Sequence, residues 1–190
     1  MFKLRYNTPP EWAQIVIEQM DAFLVDHAAA EKKASGMAIS MLSHYPDRTK
    51  LVKAMIDLSI EEMTHFREVV KIMTERGLQL GADEKDPYIN AFRKVMRKGS
   101  EVYFLDRLLT AGIIEARGCE RFGLVGEALP AGKLQEFYQA IAKSEAKHNR
   151  LFIDLAAEYF PQAEIDQRMD ELLDIEAGIV KSLPLRPALH

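Results

Sequence analysis

Two Glu-x-x-His motifs contain the residues of this chain best suited to chemistry. They are EMTH at 62–65 and EAKH at 145–148, and each lies within a long stretch with helical periodicity. Residues three apart lie on the same face of a helix. Each motif can therefore present one carboxylate and one imidazole to the same metal ion.

A lone glutamate precedes each motif by a nearly constant interval. Glu62 lies 31 residues after Glu31, and Glu145 lies 30 residues after Glu115. The chain thus repeats one unit, a helical hairpin with a glutamate on its first helix and Glu-x-x-His on its second. This set of ligands is typical of di-iron and di-manganese four-helix bundles. We expect Glu62 and Glu145 to bridge two metal ions, with Glu31 and Glu115 as more terminal ligands.

The types of ligand favour iron or manganese. Carboxylate and imidazole groups suit these metals, whereas a single cysteine, Cys119, cannot form a thiolate-rich site. Few protein ligands per metal leave coordination positions open, as a reactive centre requires. The alternative is a metal-free helical interaction protein, but such a bundle normally has leucine or alanine at its core positions, because buried carboxylates are costly.

The helices that must position these ligands follow from apolar periodicity and from prolines and glycines between the periodic stretches. We predict core helices over about 20–44, 47–76, 100–127 and 131–160, a crossover over 77–99, and a C-terminal helix over about 165–181. A break is expected near Gln19, because the first periodic stretch is unusually long. The predicted fold is all-α: a ferritin-like four-helix bundle with one long crossover and additional short helices, in a single domain over 1–190.

Composition limits the location and partners of the protein. The chain has 190 residues, is 48% hydrophobic and carries a net charge of −4. No segment is apolar enough over sufficient length to span a membrane, and the N-terminal MFKLRYNTPPEW lacks the apolar core of a signal peptide. We therefore expect a cytoplasmic protein without a membrane partner, and any nucleic-acid-binding surface must be local.

Basic residues are concentrated in two such local stretches. Those considered for RNA binding are Arg93, Lys94, Arg97 and Lys98 in the crossover, and Lys147 and Arg150 beside the second Glu-x-x-His motif. Arg117 and Arg121 are expected to add to this basic surface. The alternative is a solvated helix face whose basic residues pair with glutamates one turn away.

A few other side chains lie near the candidate ligands in sequence. His27 lies one turn before Glu31 on the same face, where it is either packed or a proton donor. Cys119 is expected to be a small buried residue, and Tyr103 and Tyr138 are expected in the core.

Several segments resemble one known family, the bacterial tRNA hydroxylases that act on 2-methylthio-N6-isopentenyladenosine. The resemblance is carried by DRLLTAGIIEARGCERF (106–122), FYQAIAKSEAKHNRLFIDLA (137–156), HAAAEKKAS (27–35), IEEMTHFREV (60–69) and, more loosely, DPYINAFRKVMRKG (86–99). The glutamate and histidine pattern is shared by all ferritin-like di-iron proteins. The run EARGCERF is what points to this family in particular.

The resemblance implies a non-haem di-iron monooxygenase that inserts one oxygen atom of O2 into the isopentenyl group of a modified adenosine in tRNA. Its cofactor would be two iron ions, held by Glu31, Glu62, His65, Glu115, Glu145 and His148. Its partners would be tRNA and an electron donor, either a reductase or a ferredoxin, and the chain would be a monomer or small homo-oligomer. Tyr88 or Phe92 could stack on a splayed base. The alternative activity is iron handling, as in a ferroxidase or a rubrerythrin-like protein.

Overall fold

The structure is a computed structural model that describes residues 2–190. Over these residues it contains seven α-helices and no β-strand. The helices are α1 (Pro10–Glu18), α2 (Met20–His44), α3 (Thr49–Glu75), α4 (Pro87–Val95), α5 (Ser100–Ala128), α6 (Lys133–Tyr159) and α7 (Gln162–Ser182). None of these helices is long and apolar enough to cross a membrane.

The break between α1 and α2 lies at Gln19, where the sequence predicts it. Gln19 has φ −123° and ψ 40°, outside the helical region, although its N–H still donates to the carbonyl of Ile15. The five long helices agree with the predicted ranges to within a few residues. Within the crossover predicted over 77–99, α4 spans Pro87–Val95 and is one of the additional short helices that the sequence predicts.

One compact unit comprises residues 15–84 and 186–189, and its core is the hairpin of α2 and α3. The loop over 45–48 is short, so the two helices are antiparallel. The Ser35 hydroxyl donates to the carbonyl of Ser59 (2.9 Å) and sets their register. α3 ends at Glu75, and Gly77 follows it with a φ of 74°, in the left-handed region that glycine adopts without strain.

A second compact unit comprises residues 2–14, 85–185 and 190, and its core is the hairpin of α5 and α6, against which α7 packs. Gly112 permits the close approach of α5 and α6. A Cβ at this position would lie 3.2 Å from Ile153 Cδ1 and 3.4 Å from Phe152 Cβ. The prediction that residues 1–190 form a single domain stays a prediction.

A buried ionic cluster joins α5 to α7 within this unit. Arg117 is fully buried and donates through Nε and Nη2 to the two carboxylate oxygens of Glu176 (2.8 and 3.0 Å). Its Nη1 donates to Glu120, whose carboxylate also accepts from Thr8. The guanidinium of Arg121 lies 5.0 Å from the centre of the Trp12 ring. The expectation that Arg117 and Arg121 lie on a basic surface is therefore wrong, because both are used inside the fold.

A second buried ion pair anchors the end of the crossover. Asp106 is fully buried and accepts two hydrogen bonds from the guanidinium of Arg168 (2.9 and 2.8 Å). It also accepts from the backbone N–H and the guanidinium of Arg97. These charge-assisted bonds lower the pKa of Asp106, although burial alone raises it. Arg97 is thus a structural residue at the start of α5.

Candidate metal centre

The α2–α3 hairpin assembles one triad of potential metal ligands. Glu31 projects from α2, and Glu62 and His65 project from α3, three residues apart on one face. His65 Nδ1 lies 3.4 Å from a carboxylate oxygen of Glu62 and 3.7 Å from one of Glu31. One ligand atom from each of the three residues lies within 4.8 Å of the other two. A single metal ion can therefore contact all three side chains.

The α5–α6 hairpin assembles an equivalent triad. Glu115 projects from α5, and Glu145 and His148 project from α6. His148 Nδ1 lies 3.3 Å from a carboxylate oxygen of Glu145 and 4.0 Å from one of Glu115. The ligand atoms of this triad again lie within 4.8 Å of one another. The repeat seen in the sequence is therefore a repeat of geometry.

Burial shows that these side chains need a positive charge. The carboxylates of Glu31, Glu62, Glu115 and Glu145 are all at least nine-tenths buried. A carboxyl group in such a place is either protonated and neutral, or ionised and paired with a nearby cation. Oxygen and imidazole nitrogen ligands in this number fit iron or manganese. The donor set thus matches the metals predicted from the sequence.

The protonation of His65 is another sign that the buried carboxylates need a positive charge nearby. Burial lowers the pKa of His65, but the nearby carboxylates of Glu31 and Glu62 raise the pKa to about 10. Without a metal, the imidazolium supplies the positive charge. A metal ion that binds to this triad must therefore displace a proton.

Comparison with known proteins assigns the chain to a family. The sequence model of the tRNA-(MS2IO6A)-hydroxylase (MiaE) family matches residues 2–190. The chain belongs to this family. A Pseudomonas putida relative of this MiaE-family chain, named tRNA 2-(methylsulfanyl)-N(6)-isopentenyladenosine(37) hydroxylase, is 30% identical over 92% of the chain and 85% of its own length. A Salmonella typhimurium protein of the same name is 29% identical over 83% of the chain, which spans 57% of that protein.

A solved structure confirms the fold of this MiaE-family chain. The solved structure is that of a Synechococcus protein named Protein 43 with aldehyde deformylating oxygenase activity. The two chains are 31% identical and superpose with a TM-score of 0.94 over 100% of this chain and 96% of that one. The predictions of the family, of an all-α ferritin-like fold and of a tRNA-hydroxylase class of enzyme are confirmed.

His27 lies against the first triad of this MiaE-family chain. Its side chain is fully buried, and its Nε2 lies 2.6 Å from Glu31 Oε1. The second hairpin has Ala111 at the matching position, four residues before Glu115. The sequence placed His27 on the face of Glu31 but could not distinguish packing from contact. The contact between His27 and Glu31 therefore has no counterpart from position 111 in the second hairpin.

The remaining candidates near the ligands have other roles. Cys119 Sγ donates to the carbonyl of Ala142 (3.2 Å). Burial, followed by the charges of Glu145 and Glu120, raises the pKa of Cys119, so its thiol stays protonated. Tyr138 is buried as expected, but Tyr103 is exposed, so the expectation of a core Tyr103 is wrong.

The residues considered for RNA binding divide into two groups. Arg93, Lys94, Lys98, Lys147 and Arg150 are exposed, whereas the guanidinium of Arg97 binds Asp106.

The aromatic residues considered for base stacking are not accessible. The rings of Tyr88 and Phe92 are buried and contact each other edge to face. Tyr88 also stacks on His190 and donates its hydroxyl to Glu176. The expectation that these rings stack on a base is therefore wrong.

Proposed function

We propose that this chain hydroxylates the isopentenyl group of 2-methylthio-N6-isopentenyladenosine in tRNA, using O2 at a di-iron centre. The proposed iron ligands are Glu31, Glu62, His65, Glu115, Glu145 and His148. The observation that carries the proposal is that each hairpin of a chain belonging to the MiaE family assembles a buried triad of two carboxylates and one imidazole.

Charge balance supports two divalent ions. Four buried glutamates carry four negative charges, which two ferrous ions neutralise while both histidines remain neutral. When bound, such a pair supplies the activation of O2, a reaction that consumes two electrons and two protons and releases one oxygen atom as water. Glu62 and Glu145 would be among the ligands that hold these ions.

The side chains of the proposed ligands are shielded from solvent to different degrees. The side chain of His148 is 4% exposed, whereas that of His65 is 12% exposed. The imidazole of His65 is therefore slightly more exposed than that of His148. Burial of Glu31, Glu62, Glu115 and Glu145 keeps bulk water from their carboxylates.

The proposed RNA contacts lie on α6, on α4 and just after α4. Lys147 and Arg150 are exposed on α6, whose opposite side carries Glu145 and His148. Arg93, Lys94 and Lys98 extend the set in the sequence around α4. Such residues bind phosphates and position the RNA without reading its sequence. A substrate of this kind implies a cytoplasmic enzyme.

Iron content and nucleoside analysis test the function together. The purified chain is expected to hold about two iron ions, as di-iron carboxylate bundles do. Cells that lack the gene should lose the hydroxylated nucleoside from tRNA and regain it with the wild-type gene. Glu115→Ala should restore neither iron nor product, whereas Glu127→Ala, an exposed control on the same helix, should restore both. Restored product with Glu115→Ala would remove this residue from the ligand set.

The structural relative favours a second candidate, the deformylation of an aldehyde. That protein carries this activity in its name and matches the whole chain at 31% identity. Incubation of the iron-loaded chain with long-chain aldehydes, O2 and a reductant would release formate if this candidate were correct. We expect no formate, because the exposed basic residues of α4 and α6 suit a phosphate-bearing substrate. Oxidation of many iron ions per chain without substrate would instead indicate a ferroxidase.

A further inference from the structure

Apolar side chains are exposed in a cluster on the α2–α3 hairpin. Seven large apolar side chains are exposed among residues 2–190, and four of them lie on this hairpin. They are Ile39 (50% exposed), Ile56 (45%), Ile60 (62%) and Met63 (44%). Single exposed apolar residues are ordinary, but a cluster of this kind marks an interaction surface.

Three of the four belong to one line along α3. We call this line the α3 stripe, and its members are Lys53, Ile56, Ile60, Met63, Arg67 and Lys71. Their spacing of three or four residues places them on one face of the helix. All six are exposed. The stripe has an apolar centre with a basic side chain at one end and two at the other.

Ile39 widens this apolar centre. The bond between Ser35 and Ser59 sets the register of the antiparallel helices α2 and α3. One turn further along α2 lies Ile39, and one turn back along α3 lies Ile56. The two isoleucines therefore lie at the same level of the hairpin, and both are exposed.

The basic side chains at the ends of the α3 stripe indicate what kind of partner would be complementary to it. The stripe itself contains no acidic residue, and the acidic residues Asp57, Glu61 and Glu68 lie on neighbouring lines of α3. Arg67 lies 3.5 Å from Glu68, but Arg67 is exposed and Glu68 is only half-buried, so this pair is weak and open to exchange. A partner with an apolar contact surrounded by acidic residues would match both features.

We propose that the α3 stripe, together with Ile39, docks an acidic, ferredoxin-type iron–sulfur protein that delivers electrons to the metal centre. The proposal rests on the proposed function. Hydroxylation consumes O2, the substrate C–H group, two electrons and two protons, and it yields the C–O–H group and water. Each encounter oxidises one reduced iron–sulfur protein by one electron, so two encounters complete a turnover.

The position of the stripe suits this role. Glu62 and His65 project from the side of α3 away from the stripe, so one helix separates the stripe from two proposed ligands. A helix with its side chains is about 10 Å across. A partner on the stripe would therefore lie within a short distance of Glu62 and His65.

The size and chemistry of the surface argue against other occupants. A stable dimer buries about 800 Å² on each partner, which is far more than four partly exposed apolar side chains supply, whereas electron-transfer encounters use small interfaces. RNA is bound through its phosphates by basic side chains, and its bases are bound by stacking on planar side chains. Isoleucine and methionine offer no such plane.

Reduction kinetics test the proposal without RNA. The diferric chain is mixed in a stopped-flow instrument with a reduced plant-type [2Fe–2S] ferredoxin or with dithionite, and the loss of ferric absorbance is followed. Ile60→Glu and Arg67→Glu should each lower the second-order rate with ferredoxin at least tenfold and change the dithionite rate less than twofold. Tyr103→Glu, which alters a similarly exposed residue on α5, should change neither rate. The wild-type ferredoxin rate should fall with rising salt.

Several results would overturn the proposal. Unchanged ferredoxin rates in both variants would show that the stripe is not the docking site, as would no reduction of the wild type by ferredoxin. A tenfold loss of affinity for a tRNA anticodon stem-loop in Ile60→Glu would assign the stripe to RNA. A dimeric wild type that becomes monomeric in Ile60→Glu would assign it to a second copy.

Failure of the proposed hydroxylase function would give results different from failure of the docking site. Normal reduction by ferredoxin without any hydroxylated nucleoside would refute the substrate and leave the docking site in place. If the chain binds no iron, docking is measured by the anisotropy of labelled ferredoxin with the metal-free chain. In that case Ile60→Glu should weaken binding at least tenfold, and equal binding would overturn the proposal.

Discussion

His27 Nε2 lies 2.6 Å from Glu31 Oε1, and both side chains are buried. The other carboxylate oxygen of Glu31 is the one directed toward His65. One oxygen of this glutamate is thus held by a histidine while the other remains directed toward the proposed metal position. In the α5–α6 hairpin the matching position is occupied by Ala111, whose side chain has no polar atom to hold Glu115 in this way.

This contact predicts unequal support for the two metal sites. His27→Ala should lower the affinity for one of two iron ions by about 10- to 100-fold, as the loss of a hydrogen bond to a metal ligand does elsewhere. His27→Gln, which retains a donor, should restore part of the affinity. Competition with a chelator measures both affinities, and exposed His44→Ala serves as the control. Equal loss at both sites, or none, would contradict a specific role in positioning Glu31.

The buried pair of Arg117 and Glu176 predicts a large loss of stability on removal of one partner. Arg117→Met leaves a buried carboxylate without its guanidinium and should cost about 3–5 kcal/mol of unfolding free energy. Arg150→Met removes the exposed pair with Asp154 and should cost at most about 1 kcal/mol. Urea denaturation of the metal-free variants measures both. Similar costs would mean that the buried cluster contributes little.

Acid should destabilise the start of α4 through Asp86. Burial raises the pKa of Asp86, but His190 and the backbone N–H groups of Ile89 and Tyr88 lower it from its ordinary 3.8 to about 2. A lowered pKa in the folded state stabilises the protein above pH 3.8, and this contribution is lost as pH falls toward 2. The expected loss is about 2 kcal/mol.

Asp86→Asn isolates this contribution. The variant should be less stable than the wild type near pH 5, and the difference should shrink as pH falls from 4 to 2. Denaturant unfolding of the metal-free chain across this range measures it without interference from metal loss. A difference that stays constant with pH would exclude an ionised Asp86 as the cause.

The exposed lysines near α4 and on α6 predict a salt-dependent affinity for RNA. Lys94→Ala and Lys147→Ala should each weaken binding of an anticodon stem-loop and lower the slope of log affinity against log salt by about 0.7–1. Lys53→Ala, on the α3 stripe, should leave the slope unchanged. Fluorescence anisotropy at several salt concentrations provides the slopes. An effect of Lys53→Ala equal to that of Lys147→Ala would show a nonspecific response to charge.

The sequence by itself determined the helices and the two ligand triads. Helical periodicity is local, and so are the prolines and glycines that end the helices. Glu62 with His65, and Glu145 with His148, share a face because of spacing alone. The repeat then placed a lone glutamate in each hairpin, and short loops made the two helices of each hairpin neighbours.

Only the tertiary structure decided which polar side chains each helix face meets. Arg117 reads as a basic surface residue, yet it binds Glu176, 59 residues further along the chain. Tyr88 reads as an accessible aromatic residue, yet its ring is covered by His190. Periodicity defines the direction of a side chain relative to its own helix. The partner in that direction depends on packing between distant segments, which no local pattern encodes.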